Sequence, residues 1–479
     1  VEAYIRFALN QYLFNTIIIT SRKFICYSPY NRELLPLLKE IMKDILQNES
    51  FPITYPFLET AVGGSCMRNH FMSCNPEHHM LVIKNASQVL TIQGGLRTGG
   101  AMKDLSIIEN GAVVVEGDTI ADVGPTSQID GDGAVIDATG KVVMPGFVDP
   151  HTHLIFEGTR EDEFLMKIEG KSYMEIMESG GGIHYTVKKT QKASKEMLQA
   201  HAVKTLDRML SCGTTTIEAK SGYGLDVDTE VKSLESIAEI HHPVERLPTY
   251  LAHAKPPAFQ GDYTDYIIET ILPAIAPLST FVDVFCEEGV FSFEETRKIV
   301  GAARDYGLIP RLHVDEFSSG GAELAVELGC ISADHLEHTG QEGMRMLAES
   351  DVIAILLPGT PFVLNSDYPR ARQMIDEGIP VALATDFNPN CLTESMQMII
   401  SLACMKMKMT QAEAICASTI NAAHSLNKGD IGSIEVGKQA DIIIIDIPSY
   451  KHLGYHFGVN LVDTVIKKGV PVITHSIPE

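Results

Sequence analysis

Val142-Val143-Met144-Pro145-Gly146-Phe147-Val148-Asp149-Pro150-His151-Thr152-His153 decides how the rest of this chain is read. Its apolar run reads as a buried strand, with Pro145 and Gly146 marking a bend on entry, and it ends in a His-x-His pair. Residues i and i+2 of a strand point to one side, so both imidazoles are expected to project together from the strand's end. Two neutral nitrogen donors on one side make half of a tetrahedral or five-coordinate metal site. In a chain with 17 histidines the pair alone is a weak signal; the strands that follow strengthen it.

Working outward toward the C-terminus, strand and helix patterns alternate. Eight candidate strands are Phe147–His153, Thr214–Lys220, Leu247–His253, Val282–Glu287, Ile309–Asp315, Cys330–Leu336, Val352–Leu357 and Val381–Asp386. Helical patterns separate them, among them Ser194–Leu210, Thr229–Ile240, Phe293–Tyr306 and Gly321–Leu328. This alternation predicts an α/β fold, a TIM-like (β/α)8 barrel over 146–428. Gly180-Gly181-Gly182 follows a helical pattern rather than a strand, which argues against a dinucleotide-binding sheet.

Both flanks are β-rich. Leu81–Ile83, Ala112–Glu116, Thr119–Val123 and Ala134–Asp137 precede the barrel, with a hairpin expected at Gly117-Asp118. Ile431–Ile434, Asp441–Asp446, Val462–Lys467 and Val470–Thr474 follow it. Neither flank is large enough for a good core alone, so 80–145 and 429–479 are expected to form one discontinuous β-sandwich. Residues 1–79 lack this order apart from a short amphipathic stretch from Leu34 to Leu46. They read either as a genuine N-terminal extension or as the product of a mis-assigned start; the second reading is favoured, they are expected to be dispensable, and no function is assigned to them.

Composition narrows the function. Hydrophobic residues at 45% and charged residues at 21% are ordinary for a globular protein and argue against disorder. No apolar run approaches the roughly 18 residues of a membrane span. With 38 Lys+Arg against 62 Asp+Glu, the net charge of −24 repels a polyanion and excludes nucleic acid as a partner, though one local Arg can hold a small anionic substrate. Nine scattered Cys without a CxxC pair suit free thiols in a reducing compartment, so a cytoplasmic location is expected.

In such a barrel, functional residues sit at the C-terminal strand ends. His151 and His153, His253, His313, His335 and Asp386 all fall there. The economical assignment is one metal held by His151, His153, His313 and Asp386, either Zn²⁺ or iron as Fe²⁺/Fe³⁺. The fourth strand end offers no Lys to bridge two ions, which predicts a mononuclear site. Such a metal activates water near neutral pH. Glu316, just past His313, is placed to reach that water or a substrate nitrogen. His335 is placed to orient the water and share its proton; His338 reads as a supporting or surface residue. Arg160 has two readings: a solvated ion pair with Glu157 or Asp162, or a fork that clamps a substrate carboxylate.

The stretch from Met80 onward resembles the amidohydrolase superfamily. The resemblance rests on PGFVDPHTH with the fifth- and sixth-strand His and the eighth-strand Asp. HTHLIFEGTREDEF (151–164), GGGI (180–183), KSGYGLD (220–226), AHAKPP (252–257), HVDEF (313–317), SADHLEHT (332–339), LLPGTPF (356–362) and DFNPN (386–390) narrow it further. They are similar to the branch that opens 4-imidazolone-5-propanoate to N-formimidoyl-L-glutamate in histidine degradation, over about four-fifths of the chain. The resemblance implies substrate contacts at Arg160, Tyr223, His253, Glu316 and the loop of Asn388, Asn390 and Cys391. It also implies a homodimer, and proton movement by Glu316, His335 and Asp386. The chain departs at Asn390 and Cys391, where that branch carries Gly followed by Ser or Thr. Asn tolerates a left-handed backbone, so the loop is expected to keep its shape.

Two other readings use the same residues. An aminohydrolase of a nucleobase or other cyclic amidine shares the metal set but needs no carboxylate clamp. A catalytically inactive scaffold of this fold typically loses ligands, and here every proposed ligand is present.

Overall fold

The computed structural model describes residues 80–131, 133–171, 175 and 181–474. The segment 1–79, with its amphipathic stretch, and Gly180 lie outside the described residues. Before the barrel come β1 (Met80–Leu90), β2 (Ile107–Glu116), β3 (Thr119–Pro125), β4 (Ala134–Asp137) and β5 (Val142–Pro145). The hairpin falls at Gly117-Asp118 as expected, with Glu116 opposite Thr119.

The run that opens the sequence analysis divides at Gly146. β5 belongs to the flanking sheet, whereas β6 (Phe147–Asp149) begins the barrel. Gly146 donates its N–H to the Asp441 carbonyl at 2.9 Å. A Cβ there would lie 2.4 Å from Thr215 side-chain atoms, so only glycine permits this close crossing between the sheets.

The barrel continues through β7 (Thr214–Lys220), β8 (Glu245–Ala252), β9 (Phe281–Cys286), β10 (Ile309–Val314), β11 (Ser332–His335), β12 (Ile353–Leu356) and β13 (Val381–Leu383). These eight strands are parallel and hydrogen-bonded in chain order. A bridge between Thr152 and Phe387 links the two ends of the series. There His153 N–H donates to the Phe387 carbonyl at 2.8 Å and Asp386 N–H to the His151 carbonyl at 3.1 Å. The seam of the barrel is thus made by the residues that carry the His-x-His pair and the terminal Asp.

The four expected helices are present as Lys195–Ser211, Val227–Glu239, Phe293–Asp305 and Gly321–Glu327. Ser194, Asp226 and Ser292 cap the first three by accepting a backbone N–H in the first turn. Among the described residues no helix is long and apolar enough to cross a membrane.

β14 (Ile442–Ile445), β15 (Val462–Lys467) and β16 (Val470–Thr474) return to the first sheet, whose order is β16-β15-β14-β5-β1-β2-β3. The two flanks meet where β14 pairs antiparallel with β5. β4 and β5 share one edge of β1, at Leu81–Lys84 and at Gln88–Val89 respectively. The composite is hydrogen-bonded continuously through β1, and Val113, Val115 and Ile120 of β2 and β3 share one core with Ile442, Ile444 and Ile466 of β14 and β15. Its alternation supplies two apolar faces: Ile442 and Ile444 pack with Leu81, Ile83, Val113 and Val143, while Ile443 and Ile445 join the core that reaches the barrel helices. The strand expected at Ile431–Ile434 does not form. Gly432, at φ 83°, turns the chain where it packs against Thr419 and Ile420.

Candidate metal centre and active site

Period-two alternation sorts the barrel strands into an outer aliphatic face and an inner charged one. Val282, Val284, Leu312 and Val314 face the helices, whereas Asp283, Arg311 and His313 share the interior with Glu218, Lys220 and Asp334. Those five acidic and basic side chains have no exposed surface. They occupy the layer beneath the histidines. Lys220 Nζ donates to Glu218 at 2.9 Å and to Asp283 at 2.8 Å. Arg311 Nη2 donates to Asp334 Oδ2 at 2.9 Å, and its guanidinium lies 5.7 Å from the centroid of the buried Phe281 ring.

Two of these carboxylates each take one imidazole. Asp334 Oδ2 lies 2.6 Å from His151 Nδ1 and Asp283 Oδ2 lies 2.9 Å from His313 Nδ1. The first is a hydrogen bond that puts the His151 Nδ1 hydrogen toward the carboxylate and turns its Nε2 toward the site; the second is a close ion-pair contact without hydrogen-bond alignment. His153 Nε2 and His313 Nε2 face one another at 3.4 Å. Asp386 Oδ1 is 3.5 Å from His151 Nε2 and 3.4 Å from His153 Nε2. Thr360 Oγ1 donates to the other carboxylate oxygen of Asp386. His151 Nε2 and Asp386 Oδ1 are buried without a hydrogen-bond partner.

Protonating His151 or His313 does not relieve this cluster. Burial pushes His151 well below the usual histidine range and, with Asp283 pulling the other way, His313 down to about 4. Asp386 is also held low: its hydrogen bonds and neighbouring His153 and His335 outweigh burial. His151, His153 and His313 bring one ligand atom each within 4.8 Å of one another, and His151, His335 and Asp386 do the same, donor sets of nitrogen and carboxylate oxygen that fit a divalent metal ion. Asp386 adopts φ 51° and His335 φ 83°, conformations that L-residues adopt at a cost and that collect at functional sites.

Glu316 and His335 form the next layer, with Glu316 Oε2 3.8 Å from His335 Nε2. Burial raises the Glu316 carboxyl to about 8 although His335 opposes it. His335 rises to about 10 because Glu316, Glu337 and Asp386 outweigh its burial. Glu337 Oε2 lies 3.8 Å from His335 Nδ1 on the opposite side. Glu316 is held by its backbone: Glu287 accepts the N–H groups of Glu316, Phe317 and Ser318 at 2.7, 3.3 and 3.2 Å. His338 is exposed.

At the mouth, Arg160 pairs with neither Glu157 nor Asp162. Its Nε donates to Thr186 Oγ1 at 3.1 Å and lies 3.9 Å from Glu163, leaving Nη2 buried and unpartnered. Tyr223 and His253 stack edge-on at 4.9 Å between centroids, and the His253 ring is 5.3 Å from that of His153. Burial pushes the Tyr223 hydroxyl up and His253 well down, with the Arg160 charge acting on both. Glu230 shapes the loop carrying Tyr223 by accepting the N–H groups of Gly222, Gly224 and Leu225 at 2.8, 2.7 and 2.9 Å.

The loop after β13 is otherwise occupied. Asn388 donates to the Asp386 carbonyl at 2.8 Å and accepts the Asn390 and Cys391 N–H groups at 2.8 and 3.2 Å. Asn390 accepts Lys167 Nζ. Cys391 is buried, its sulfur 3.9 Å from the Thr385 carbonyl. The left-handed residue of this loop is Asp386, not Asn390.

Sequence reasoning missed Glu218, Asp283, Arg311, Asp334, Glu230, Glu287 and Glu337. Spacing carries a signal for some of them. Arg311 stands two residues before His313, Asp283 lies in an otherwise apolar strand, and Glu218 precedes Lys220 by two. A charge at period two from a strand-end site residue faces the same interior.

Residues 142–472 match the amidohydrolase family. An imidazolonepropionase of Geobacillus sp. (strain WCH70) is 47% identical over 414 residues, covering 82% of this chain and 98% of the relative. One from Parabacteroides distasonis is 48% identical over 410 residues, covering 82% and 99%. Among solved structures, an adenosine deaminase from Xanthomonas campestris with bound zinc aligns at TM-score 0.63 and 19% identity, over 82% of this chain and 93% of that one. A variant of an atrazine chlorohydrolase from Arthrobacter aurescens TC1, complexed with zinc and atraton, aligns at TM-score 0.63 and 16% identity, over 82% and 95%. At those identities the structures share the fold. The chain belongs to the amidohydrolase family, in its imidazolonepropionase branch.

Proposed function

We infer that this amidohydrolase-family member hydrolyses the ring C–N bond of 4-imidazolone-5-propanoate to N-formimidoyl-L-glutamate. Beside its relatives' names, the observation that carries this reading is the buried His151–His153–His313 group, with Asp386 Oδ1 3.4 Å from His153 Nε2, beside one unpartnered guanidinium nitrogen of Arg160. A ring amide bearing a carboxylate tail needs both. A neutral nucleobase leaves Arg160 without a purpose.

His151, His153, His313 and Asp386 would hold one Zn²⁺ or iron ion, which when bound supplies Lewis acidity and an activated water. Arg160 receives the propanoate on its free Nη2, a charge-assisted contact of fixed direction. Tyr223 and His253 wall the ring between that clamp and the cluster. Water oxygen joins the ring carbonyl carbon, the C–N bond breaks, and the departing nitrogen takes a proton. Glu316 is the group for that delivery, since burial keeps its carboxyl protonated into the neutral range. His335, with Nε2 3.8 Å from Glu316, is placed to stabilise the negative charge developing on oxygen. Asp386, held well below the usual carboxylate range, accepts rather than donates. Asn388 and Cys391 shape the loop that carries it.

The test is metal analysis with a turnover assay offering imidazolonepropanoate and a cyclic amidine such as a nucleobase. Stoichiometric metal with turnover of the imidazolone alone is expected. Metal-replete protein that leaves the imidazolone intact overturns the assignment.

A further inference from the structure

Arg311 is fully buried in the barrel, and two of its three guanidinium nitrogens find no hydrogen-bond acceptor. Nε and Nη1 reach only long contacts, 4.0 Å to Asp283 and 3.9 Å to Glu218. Replacing such a buried ionic group by apolar side chains of similar volume is often neutral or stabilising. Fold stability alone therefore gives a weak reason for a guanidinium here. The third nitrogen supplies a better one. Nη2 donates to the Pro150 carbonyl at 2.7 Å and to Asp334 Oδ2 at 2.9 Å.

Both acceptors govern His151. Pro150 is the residue before it in the chain, and Asp334 Oδ2 is the atom 2.6 Å from its Nδ1. One guanidinium nitrogen thus fixes the imidazole through its backbone and through its ring. Ser332 Oγ holds the other Asp334 oxygen at 2.6 Å, so the carboxylate cannot rotate away.

We propose that Arg311 is a positioning residue for the metal centre, acting through Asp334 and the Pro150 carbonyl to fix the direction and tautomer of His151. Arg311 Nη2 and Ser332 Oγ hold the two Asp334 oxygens in place, Asp334 Oδ2 faces Nδ1 at 2.6 Å, and Nε2 is left facing the cluster. Without Arg311, Asp334 is a buried charge lacking its main cation, and the His151 ring loses the constraint that selects Nε2. Lys220 donates to Asp283 at 2.8 Å, and Asp283 Oδ2 lies 2.9 Å from His313 Nδ1.

This inference rests on the metal-centre reading above, so its test reads Zn²⁺ affinity directly. Metal-free full-length protein is titrated with Zn²⁺ against a chromophoric chelator for the parent, Arg311→Met, Asp334→Asn and the double variant. Melting of each metal-free protein records stability separately. Arg311→Met and Asp334→Asn should each weaken Zn²⁺ binding roughly tenfold to a hundredfold. The double variant should bind no more weakly than Asp334→Asn, because the arginine acts through the carboxylate. A residue that only supports the fold would lower melting without this non-additivity. Arg311→Lys, which keeps a cation on a shorter side chain, should recover part of the affinity. If Arg311→Met does not fold, Arg311→Lys carries the test: a Zn²⁺ loss that disappears in the Asp334→Asn background supports the proposal. Parental affinity in the folded arginine variant, or losses that add in the double variant, overturn it. A parent that binds no Zn²⁺ overturns the metal reading itself, a separate result.

Discussion

Charge is used in two ways by two regions of this molecule. Inside the barrel, Glu218, Lys220, Asp283, Arg311 and Asp334 have no exposed surface and are held mainly by each other and by the imidazoles. At the mouth, Arg160 and Lys167 are half-buried, and Arg160 keeps one nitrogen free. An interior charge that loses its partner stays uncompensated at a cost of about 3–5 kcal/mol, so these residues fix geometry and leave no edge for a ligand. A rim charge with an unpaired edge is ready to receive one. Interior substitutions should therefore disturb metal and turnover together, and rim substitutions should disturb turnover alone.

The largest effect tests the interior half of that contrast. His313→Ala and Asp386→Ala each remove one of the converging donors. Turnover should fall at least about a thousandfold, some 4 kcal/mol of barrier, and bound metal should fall with it on elemental analysis. Full metal content with full activity in either variant would erase the distinction between interior and mouth.

Glu316 lies between the two regions, and Glu316→Gln should sharpen the boundary. A proton donor contributes about a hundredfold to ten-thousandfold, so kcat should drop within that range while metal content holds. The sign with pH follows from burial, which raises the carboxyl to about 8. Below that value the acid form is present; as pH rises through it, the proton is lost and activity declines. A pH profile of kcat/KM should show this alkaline limb in the parent and not in Glu316→Gln. Persistence of the limb would assign the donor elsewhere.

Arg160→Ala probes the mouth. Leaving a substrate carboxylate buried and unpaired costs about 2–5 kcal/mol, or roughly tenfold to several-thousandfold in kcat/KM, with metal unchanged. Arg160→Lys should recover only part, since an ammonium cannot present the planar fork. A loss below about fivefold matches a solvated ion pair and removes the mouth's claim to substrate recognition.

The two regions also differ in how far the sequence discloses them. His151, His153, His313 and Asp386 stand at strand ends, where polar residues interrupt apolar runs, and the alternation that locates those ends is strong. The barrel and both flanks were legible for the same reason. Asp283 and Arg311 lie inside strands, and a buried parallel strand has no solvent face against which inward charge can be read. The Asn388–Cys391 loop was misjudged in its backbone: the left-handed residue is Asp386, a ligand candidate rather than a turn residue. Ile431–Ile434 looked extended, but Gly432 spends its freedom on a turn. Single side chains that organise loops at a distance, such as Glu287 and Glu230, leave no periodic trace.

The smallest effect comes from outside both regions and serves as their control. Ser292 caps the helix Phe293–Asp305, with Glu295 closing the box by returning to the Ser292 N–H at 2.9 Å. Ser292→Ala should cost about 1 kcal/mol and lower the melting temperature by roughly 2 °C in a chain this long, with kcat/KM and metal unchanged. Burial opposes ionisation of Glu295, but Lys255 at 2.7 Å and the Ser292 contacts outweigh it and hold the carboxyl at about 2. A folded value below the unfolded one means a contribution present above about pH 4.3 and lost as pH falls toward 2. Glu295→Gln should therefore flatten the acid side of the stability profile over that window while the neutral-pH rate stays put. If either variant changed kcat/KM as strongly as Arg160→Ala, sensitivity to charge and capping would be spread across the barrel, and the division between an interior that holds and a mouth that reads would lose its basis.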